Sequence, residues 1–420
     1  MKYKRPRGTQ DLFGTDMARW GLVEEKLARL AKSYGYSEIR TPVFESSDLF
    51  IRAVGEATDI VSKEMYTFKD KKGRDLTLRP ENTAPVMRAF IENGLHRSAG
   101  ITRFFYIGPM FRYDRPQAGR YRQFHQFGVE ALGSGDPAID AEVIEISLEV
   151  YRTFGFEGLE VRLNSVGCPE CRPAFRQVLL ESLEEMRGEL CDNCSERAMI
   201  NPMRIFDCKE CGDIKLRLPV ITDHLCDGCR EHFDSVQRIL EATGTDFVLD
   251  PLLVRGLDYY TKTAFEILHP GLGGQNALCG GGRYDGLAED CGGPPIPAIG
   301  FSSGIERLME NVPASILENM DGSALDVYIV VEGAERAHEA LGLASTLRGG
   351  GLRVSTDLSG RAMKKQMKGA SSSGARFALL VGLAEAGPGE TVIKDMGSGE
   401  QRTLPNEGIL PFIKREEDQD

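Results

Sequence analysis

Between Arg103 and Glu130 the chain carries two strand-forming runs joined by a short arginine-rich loop. The first runs from Phe104 to Arg112 and the second from Tyr121 to Glu130. Aromatic and β-branched residues favour extended backbone, and Asp114 to Gly119, with Pro116, has the composition of a turn. Side chains alternate along a strand, so Arg122, Phe124, Gln126, Gly128 and Glu130 share one face. A cation, an aromatic plate, an amide, a gap and a carboxylate in that order make a binding floor. Glycine leaves room there and the polar groups fix orientation. Arg112, Arg115, Arg120 and Arg122 crowd the loop with only Asp114 to offset them, and guanidinium groups hold phosphate oxygens through paired hydrogen bonds. Alone, the loop reads as a solvated basic hairpin. The polar strand face turns the balance toward a phosphorylated ligand.

A length of 420 residues implies two or three domains. A formal charge of −12 argues against a protein that coats nucleic acid, while leaving room for local basic patches. Met1 to Gln10 is polar, with no signal peptide, and no apolar run approaches the ~20 residues of a membrane span, so a soluble cytoplasmic protein is expected. Eight of the ten cysteines fall in four Cys-x-x-Cys pairs: Cys168/Cys171, Cys191/Cys194, Cys208/Cys211 and Cys226/Cys229. Without a secretory signal, disulfides fit this pattern poorly. The spacing suits two structural zinc sites of four thiols each, distant from any chemistry, with reduced or redox-active thiols as the alternative. Which pairs share a metal cannot be read from spacing.

Read in order, a helix is expected from Thr15 to Tyr34, then a strand from Tyr36 to Glu45, placed at an edge or a subunit contact by Pro42. Leu76 to Pro80 reads as a strand and Glu81 to Asn93 as a helix. Glu81 and Thr83 sit at its entrance, where capping accounts for them. Pro137 to Phe154 is an amphipathic helix. Residues 166–246 read as an inserted Cys-rich module within a core spanning 1–325. The strand pattern resumes at Phe247 and is expected to continue through Leu252 to Ile267, which places Arg255 inside an apolar strand. An arginine there needs an acceptor: a structural ion pair, or a ligand anion near Gly256, Tyr259 and Tyr260. Gly280 to Gly282 reads as a bulge or as a close approach of backbone to ligand. Ile299 to Gly304 reads as a small-residue turn before a helix, and Glu310 to Leu325 as a linker. Residues 326–420 alternate strand and helix, implying a small domain with a mostly parallel sheet. Neither a Walker loop nor a Gly-x-Gly-x-x-Gly fingerprint is present.

The stretch Tyr106 to Gln126 resembles motif 2 of the class II aminoacyl-tRNA synthetases, Gly35 to Glu45 resembles motif 1, and Gly300 to Leu308 resembles motif 3. Leu253-Val254-Arg255-Gly256-Leu257-Asp258-Tyr259-Tyr260 and Cys279-Gly280-Gly281-Gly282-Arg283-Tyr284-Asp285-Gly286-Leu287 resemble the two signatures of histidyl-tRNA synthetases. The resemblance implies an α+β fold: an antiparallel catalytic sheet, a helical Cys-rich insertion and a C-terminal α/β anticodon-binding domain. It implies activation of L-histidine by ATP and transfer to tRNA, with Mg²⁺, in a homodimer. It implies that Arg255 and Arg112 act at the α-phosphate and that Arg112, Arg120, Phe124 and Arg307 hold ATP. Glu81, Thr83, Arg112, Gln126, Glu130, Arg255, Tyr259 and Tyr260 would form the histidine pocket. Arg361, Lys364, Lys365, Lys368 and Arg376, an acid-free basic patch, would meet tRNA phosphates. Two rivals are a paralogue resembling the regulatory subunit of ATP phosphoribosyltransferase, which binds histidine without charging tRNA, and a zinc-based nucleic-acid adaptor.

Overall fold

A computed structural model describes residues 3–56, 58–115, 119–197, 201–208, 210–313, 315–316 and 325–417. The chain divides into two compact units, Met1–Leu12 with Trp20–Asn319, and Phe13–Arg19 with Met320–Asp420.

The first unit holds strands β1 (Ser37–Glu38), β2 (Phe44–Ser46), β3 (Tyr66–Lys69), β4 (Asp75–Leu78), β5 (Thr102–Phe111), β6 (Gln123–Leu132), β7 (Glu160–Ser165), β8 (Phe247–Leu249), β9 (Thr261–Leu268), β10 (Ala277–Arg283) and β11 (Ala298–Gly304). Eight of them form one sheet in the order β1-β5-β6-β11-β10-β9-β7-β8. Its interior pairs are antiparallel, and only the edge pairs β1–β5 and β7–β8 are parallel. The hairpin β5–β6 runs in unbroken register from Thr102↔Leu132 to Phe111↔Gln123, so the predicted parity holds along it. Phe127 and Val129 are buried on one face, where the Phe127 ring meets those of Phe105 and Phe301. Helix Pro137–Arg152 buries Ile139, Val143, Ile146 and Val150. It starts cleanly because Asp136 accepts from the Ala138 amide at 2.9 Å and Pro137 occupies the first turn. Helix Thr83–Glu92 belongs to an apolar cluster that includes Met110, Tyr259 and Tyr284, and helix Ser47–Val54, which adjoins a second small sheet β2-β4-β3, adds Phe50 and Val54 to it.

Three expectations need correction. The strand read from Tyr36 to Glu45 is two short strands in different sheets, and Pro42, which lacks an amide hydrogen, lies between them. The run from Leu252 to Ile267 is not one strand: β8 ends at Leu249 and β9 begins at Thr261, so Arg255 sits in an irregular loop. Its carbonyls are taken by side chains rather than by a ladder, Leu253 accepting from Asn164 Nδ2 at 2.8 Å and Gly256 from Arg204 at 2.9 Å. The turn read at Ile299 to Gly304 is β11, a central strand whose small residues answer to crowding described below.

The second unit carries β12 (Val327–Val331), β13 (Val354–Thr356), β14 (Phe377–Val381), β15 (Glu390–Asp395) and β16 (Gln401–Pro405), ordered β13-β12-β14-β15-β16. The first three are parallel and joined by helices Ala337–Gly349 and Met363–Ser372. The sheet is mixed rather than mostly parallel, because β14–β15 and β15–β16 are antiparallel. The β15–β16 link is a tight turn in which Asp395 accepts from the amides of Gly397 and Ser398 at 2.9 and 2.7 Å. So short a link cannot cross over. Helix Asn406–Glu417 completes the unit. Of the expected linker, residues 314 and 317–324 lie outside the described residues, as does Pro116 of the hairpin loop.

Candidate active site

Strands β6, β11 and β10 form the floor of a cavity of about 330 Å³. Gln126 projects into it from β6, Ser302 from β11, and Cys279 with Gly280 from β10. Glu81 and Thr83 enter from the start of helix Thr83–Glu92, and Arg255, Tyr259 and Tyr260 from the loop before β9. Arg112, Arg120 and Arg307 complete the rim. Residues read separately from five distant stretches therefore line one space. Phe124 and Glu130 do not line it; each touches a residue that does, Phe124 through Arg112 and Glu130 through Thr83.

Glu130 is 1% exposed on the cavity face of β6. Its Oε1 accepts from Thr83 Oγ1 at 2.7 Å and its Oε2 from the Tyr284 hydroxyl. Burial pushes its carboxyl up to about 8, against the pull of those two donors. Gly300, beside it on β11, leaves no room for a Cβ because the Glu130 carboxylate and the Val129 carbonyl fill that space. Glu81 spends both oxygens on the helix, accepting from the amides of Thr83 at 2.6 Å and Ala84 at 3.1 Å, and burial raises its pKa too. The capping geometry is thus present, and the residue also borders the cavity. Gln126 donates from Nε2 to Ser302 Oγ at 3.3 Å, whereas its Oε1 is buried with no partner among the described residues. That oxygen is an acceptor awaiting a donor.

The guanidinium groups are held in different ways. Arg255 pairs with Glu266 on β9, lies 5.8 Å from the Tyr260 ring and packs flat over Gly280, while its Nε is buried with no partner among the described residues. Burial is the largest influence and works against this charge, but Glu266, Tyr260 and Asp207 together outweigh it and raise the pKa. Arg112 donates from Nε to the Pro80 carbonyl at 2.8 Å and lies over the Phe124 ring at 5.3 Å. Burial lowers its pKa, and the nearby carboxylates of Glu64 and Glu81 offset that only in part. Arg120 makes an exposed pair with Asp114 at 3.1 Å. Arg307 projects from helix Ile305–Asn311, which Glu306 fixes to β6 by accepting from the His125 amide at 2.8 Å. Next to it Glu310 accepts from the Gly119 amide and the Tyr121 hydroxyl, each at 3.1 Å, tying the hairpin loop down.

Sequence reading passed over Glu266, Tyr284 and the pair Arg283–Asp140. Glu266 is a lone carboxylate in an apolar strand, the natural acceptor for the lone Arg255, and that pairing of oddities was the available signal. Arg283 is fully buried with Asp140, at 2.5 Å. Thr263 donates to Asp140 at 2.6 Å, and His232 of the inserted module lies 2.8 Å from it.

All ten cysteines are free thiols. Cys168, Cys171, Cys226 and Cys229 form one cluster and Cys191, Cys194, Cys208 and Cys211 another, with the sulfurs of each within 4.8 Å of one another. The first pair thus joins the fourth and the second joins the third. Sulfur separations of 3.6, 3.9 and 3.7 Å match the roughly 3.8 Å edge of a tetrahedron around zinc with Zn–S bonds of about 2.3 Å. In the second unit the basic patch is not free of acid: Arg361 donates to Asp357 at 2.6 Å, whose carboxyl drops to about 2. Burial opposes that drop, and the hydrogen bonds from Ser359 and Arg361 drive it. Lys364, Lys365 and Lys368 are exposed, and Arg376 donates to the Glu416 carbonyl at 3.1 Å. Among the described residues no helix is long and apolar enough to cross a membrane.

Residues 8–191 and 219–308 match the family described as Histidyl-tRNA synthetase, and residues 326–416 match an Anticodon binding domain. The interval between the two family segments carries Cys194, Cys208 and Cys211. A histidine–tRNA ligase of Desulforudis audaxviator is 50% identical over 418 residues, covering 99% of each chain. One of Desulforamulus reducens is 47% identical over 412 residues, covering 98% of each. The crystal structure of the apo histidyl-tRNA synthetase of S. aureus superposes with a TM-score of 0.81 at 38% identity, covering 98% of this chain and 100% of that one.

Proposed function

The chain belongs to the histidyl-tRNA synthetase family, and on that footing we propose that the cavity on β6, β10 and β11 is where histidine meets ATP. The reaction is histidine–tRNA ligation. Histidine and ATP give histidyl-adenylate and pyrophosphate, and the histidyl group then passes to the 3′ end of tRNA.

The attacking carboxylate of histidine is ionised at neutral pH, so adenylation needs no general base. Orientation and stabilisation of charge at phosphorus must supply the acceleration. Arg255 and Arg112 are assigned to the α-phosphate and the histidine carboxylate. The buried Nε of Arg255, which has no partner among the described residues, is the observation that best supports this reading. Arg120 and Arg307 are assigned to the outer phosphates, and Phe124, already stacked with Arg112, to the adenine. Mg²⁺ brought in with ATP would supply positive charge for the leaving pyrophosphate, beside Arg120 and Arg307. Gln126 Oε1 and the carboxyls of Glu81 and Glu130 are assigned to the ammonium and imidazole of histidine, with Thr83, Tyr259 and Tyr260 as walls. A positive ligand beside Glu130 favours its ionised form, so its proton leaves when histidine binds.

The two four-cysteine clusters are assigned to one structural zinc each. Lys364, Lys365 and Lys368, on one helix of the unit that matches an anticodon-binding domain, are assigned to tRNA phosphates. Arg361 has a smaller part because Asp357 already holds it. A homodimer, following the motif 1 resemblance, and a cytoplasmic location complete the proposal. The deciding experiment is histidine-dependent ATP–pyrophosphate exchange. Wild-type protein exchanges, and Arg255→Ala loses exchange while melting normally. Near-normal exchange by that variant refutes the assignment.

A further inference from the structure

The loop Leu253–Tyr260 carries Arg255, Tyr259 and Tyr260 yet belongs to no helix or strand. Something other than a hydrogen-bond ladder must hold it, because misplacing a catalytic group by about 1 Å costs up to ~100-fold in rate. The inserted module supplies the holds. Arg172, the residue after Cys171, donates to the carbonyls of Tyr260 and, at 3.1 Å, of Val166. Arg204, four residues before Cys208, donates to the Gly256 carbonyl at 2.9 Å and to Asp258 Oδ1 at 3.2 Å. Asn201 donates to the same Asp258 oxygen at 3.1 Å. The loop's exit is strained and clamped: Lys262 has φ 50°, a left-handed conformation rare for lysine. Its amide donates to Gly167 at 2.8 Å and its carbonyl accepts from Val166 at 2.7 Å, both on the segment leading into Cys168. These grips all come from segments that flank the cysteine clusters in sequence, so the inserted module is tied to the loop that carries Arg255.

We propose that the inserted module positions the Arg255 loop, with Arg172 and Arg204 as positioning residues and the two cysteine clusters as the rigid bases from which they reach. The importance of the loop rests on the functional reading above, whereas the mechanical link does not. The geometry supports it at both ends of the loop. Between the grips lies a cavity of about 470 Å³ whose walls include Phe175, Met203, Val254 and Leu257. Among the described residues the arginine and asparagine hydrogen bonds connect module and loop beside it.

The test is amide hydrogen exchange in the substrate-free full chain, read together with steady-state ATP–pyrophosphate exchange. Arg204→Ala is expected to speed exchange of the amides in 253–260 at least tenfold and to lower kcat/KM for histidine by a similar factor. KM for ATP and metal content should stay unchanged. Arg204→Lys, which keeps the charge but cannot hold Asp207 with one nitrogen and the loop with another, should recover only part of the loss. Cys211→Ser should loosen the same amides from the far side of the second cluster. A folded Arg204→Ala protein with wild-type protection of the loop and wild-type kcat/KM overturns the proposal, as does a Cys211→Ser protein loosened only within 187–215. Should Arg204→Ala fail to fold, Asn201→Ala gives the same reading on a smaller scale. Loss of all exchange activity in the wild type, with the protection pattern as described, condemns the functional reading and not this one.

Discussion

Gly280→Ala separates the chemistry of this protein from its fold. A Cβ at position 280 would lie 2.5 Å from Cζ, Nη1 and Nη2 of Arg255. Ordinary contact is about 3.5 Å, so the guanidinium must retreat by roughly 1 Å. Nη1 is tethered to Glu266 and the Tyr260 ring stands beside it, so retreat drags the charge away from the position proposed for the α-phosphate. A displacement of that size costs on the order of 100-fold in rate, or about 2.7 kcal/mol. Stability moves little, because only the end of a flexible side chain is disturbed and alanine narrows the unfolded ensemble by ~0.4–1 kcal/mol in the opposite direction. Gly281→Ala is the counterpart. Strand alternation points it to the other face, where a Cβ would meet Phe301 Cβ at 2.6 Å and Phe265 Cζ at 2.7 Å. Neither is free to move, and overpacking of this kind costs about 1–3 kcal/mol. Exchange kinetics and a urea melt of both variants therefore give opposite signatures. Exchange by Gly280→Ala within threefold of wild type refutes the placement of Arg255 at the reacting centre.

Asp140→Asn leaves the fully buried Arg283 with only the partly exposed Asp285, at 3.2 Å, as a carboxylate partner and should cost about 3 kcal/mol in urea unfolding; a loss under about 1 kcal/mol contradicts the reading of that pair. Glu130 titrates near 8 when folded and in the ordinary carboxyl range when unfolded, so between those values the unfolded chain binds fewer protons and stability falls as pH rises. Glu130→Gln should flatten that fall, and parallel pH profiles of the two proteins count against a protonated Glu130. Metal analysis should find close to two zinc ions per chain and one in Cys168→Ser, and a value well under one in the wild type removes the zinc assignment. Reversing Lys364, Lys365 and Lys368 to Glu should weaken tRNA binding and shrink its salt dependence while sparing adenylation. Unchanged tRNA affinity at moderate salt counts against the patch.

The hairpin was legible because alternation is a local rule: once β5 and β6 are strands, Gln126, Gly128 and Glu130 must share a face. What alternation cannot show is cover. Thr83 and Tyr284, 47 and 154 residues from Glu130, close over its carboxylate and turn an open acidic group into a buried one. The same limit explains Asp140, which sits among apolar residues of a helix whose amphipathic pattern says nothing of an arginine 143 residues away.

The two largest misreadings run in opposite directions and have one cause. Leu252 to Ile267 has strand composition but bends at Arg255, because Asn164, Arg172 and Arg204 draw its carbonyls out of any ladder. Ile299 to Gly304 has turn composition but is a central strand, because Glu130 and the Val129 carbonyl leave space only for Gly300. In each, the residues serve a group brought from elsewhere in the chain: the loop lends its carbonyls so that Arg255 can face the cavity, and the strand lends its side-chain volume so that Glu130 can lie under it. Local propensity is written for elements that bury their own side chains against a core. Where an element instead makes room for a ligand, composition and conformation part company. Such a mismatch, once coordinates are at hand, marks the site without any motif: the apolar run that fails to pair and the small-residue run that does are neighbours across Gly280.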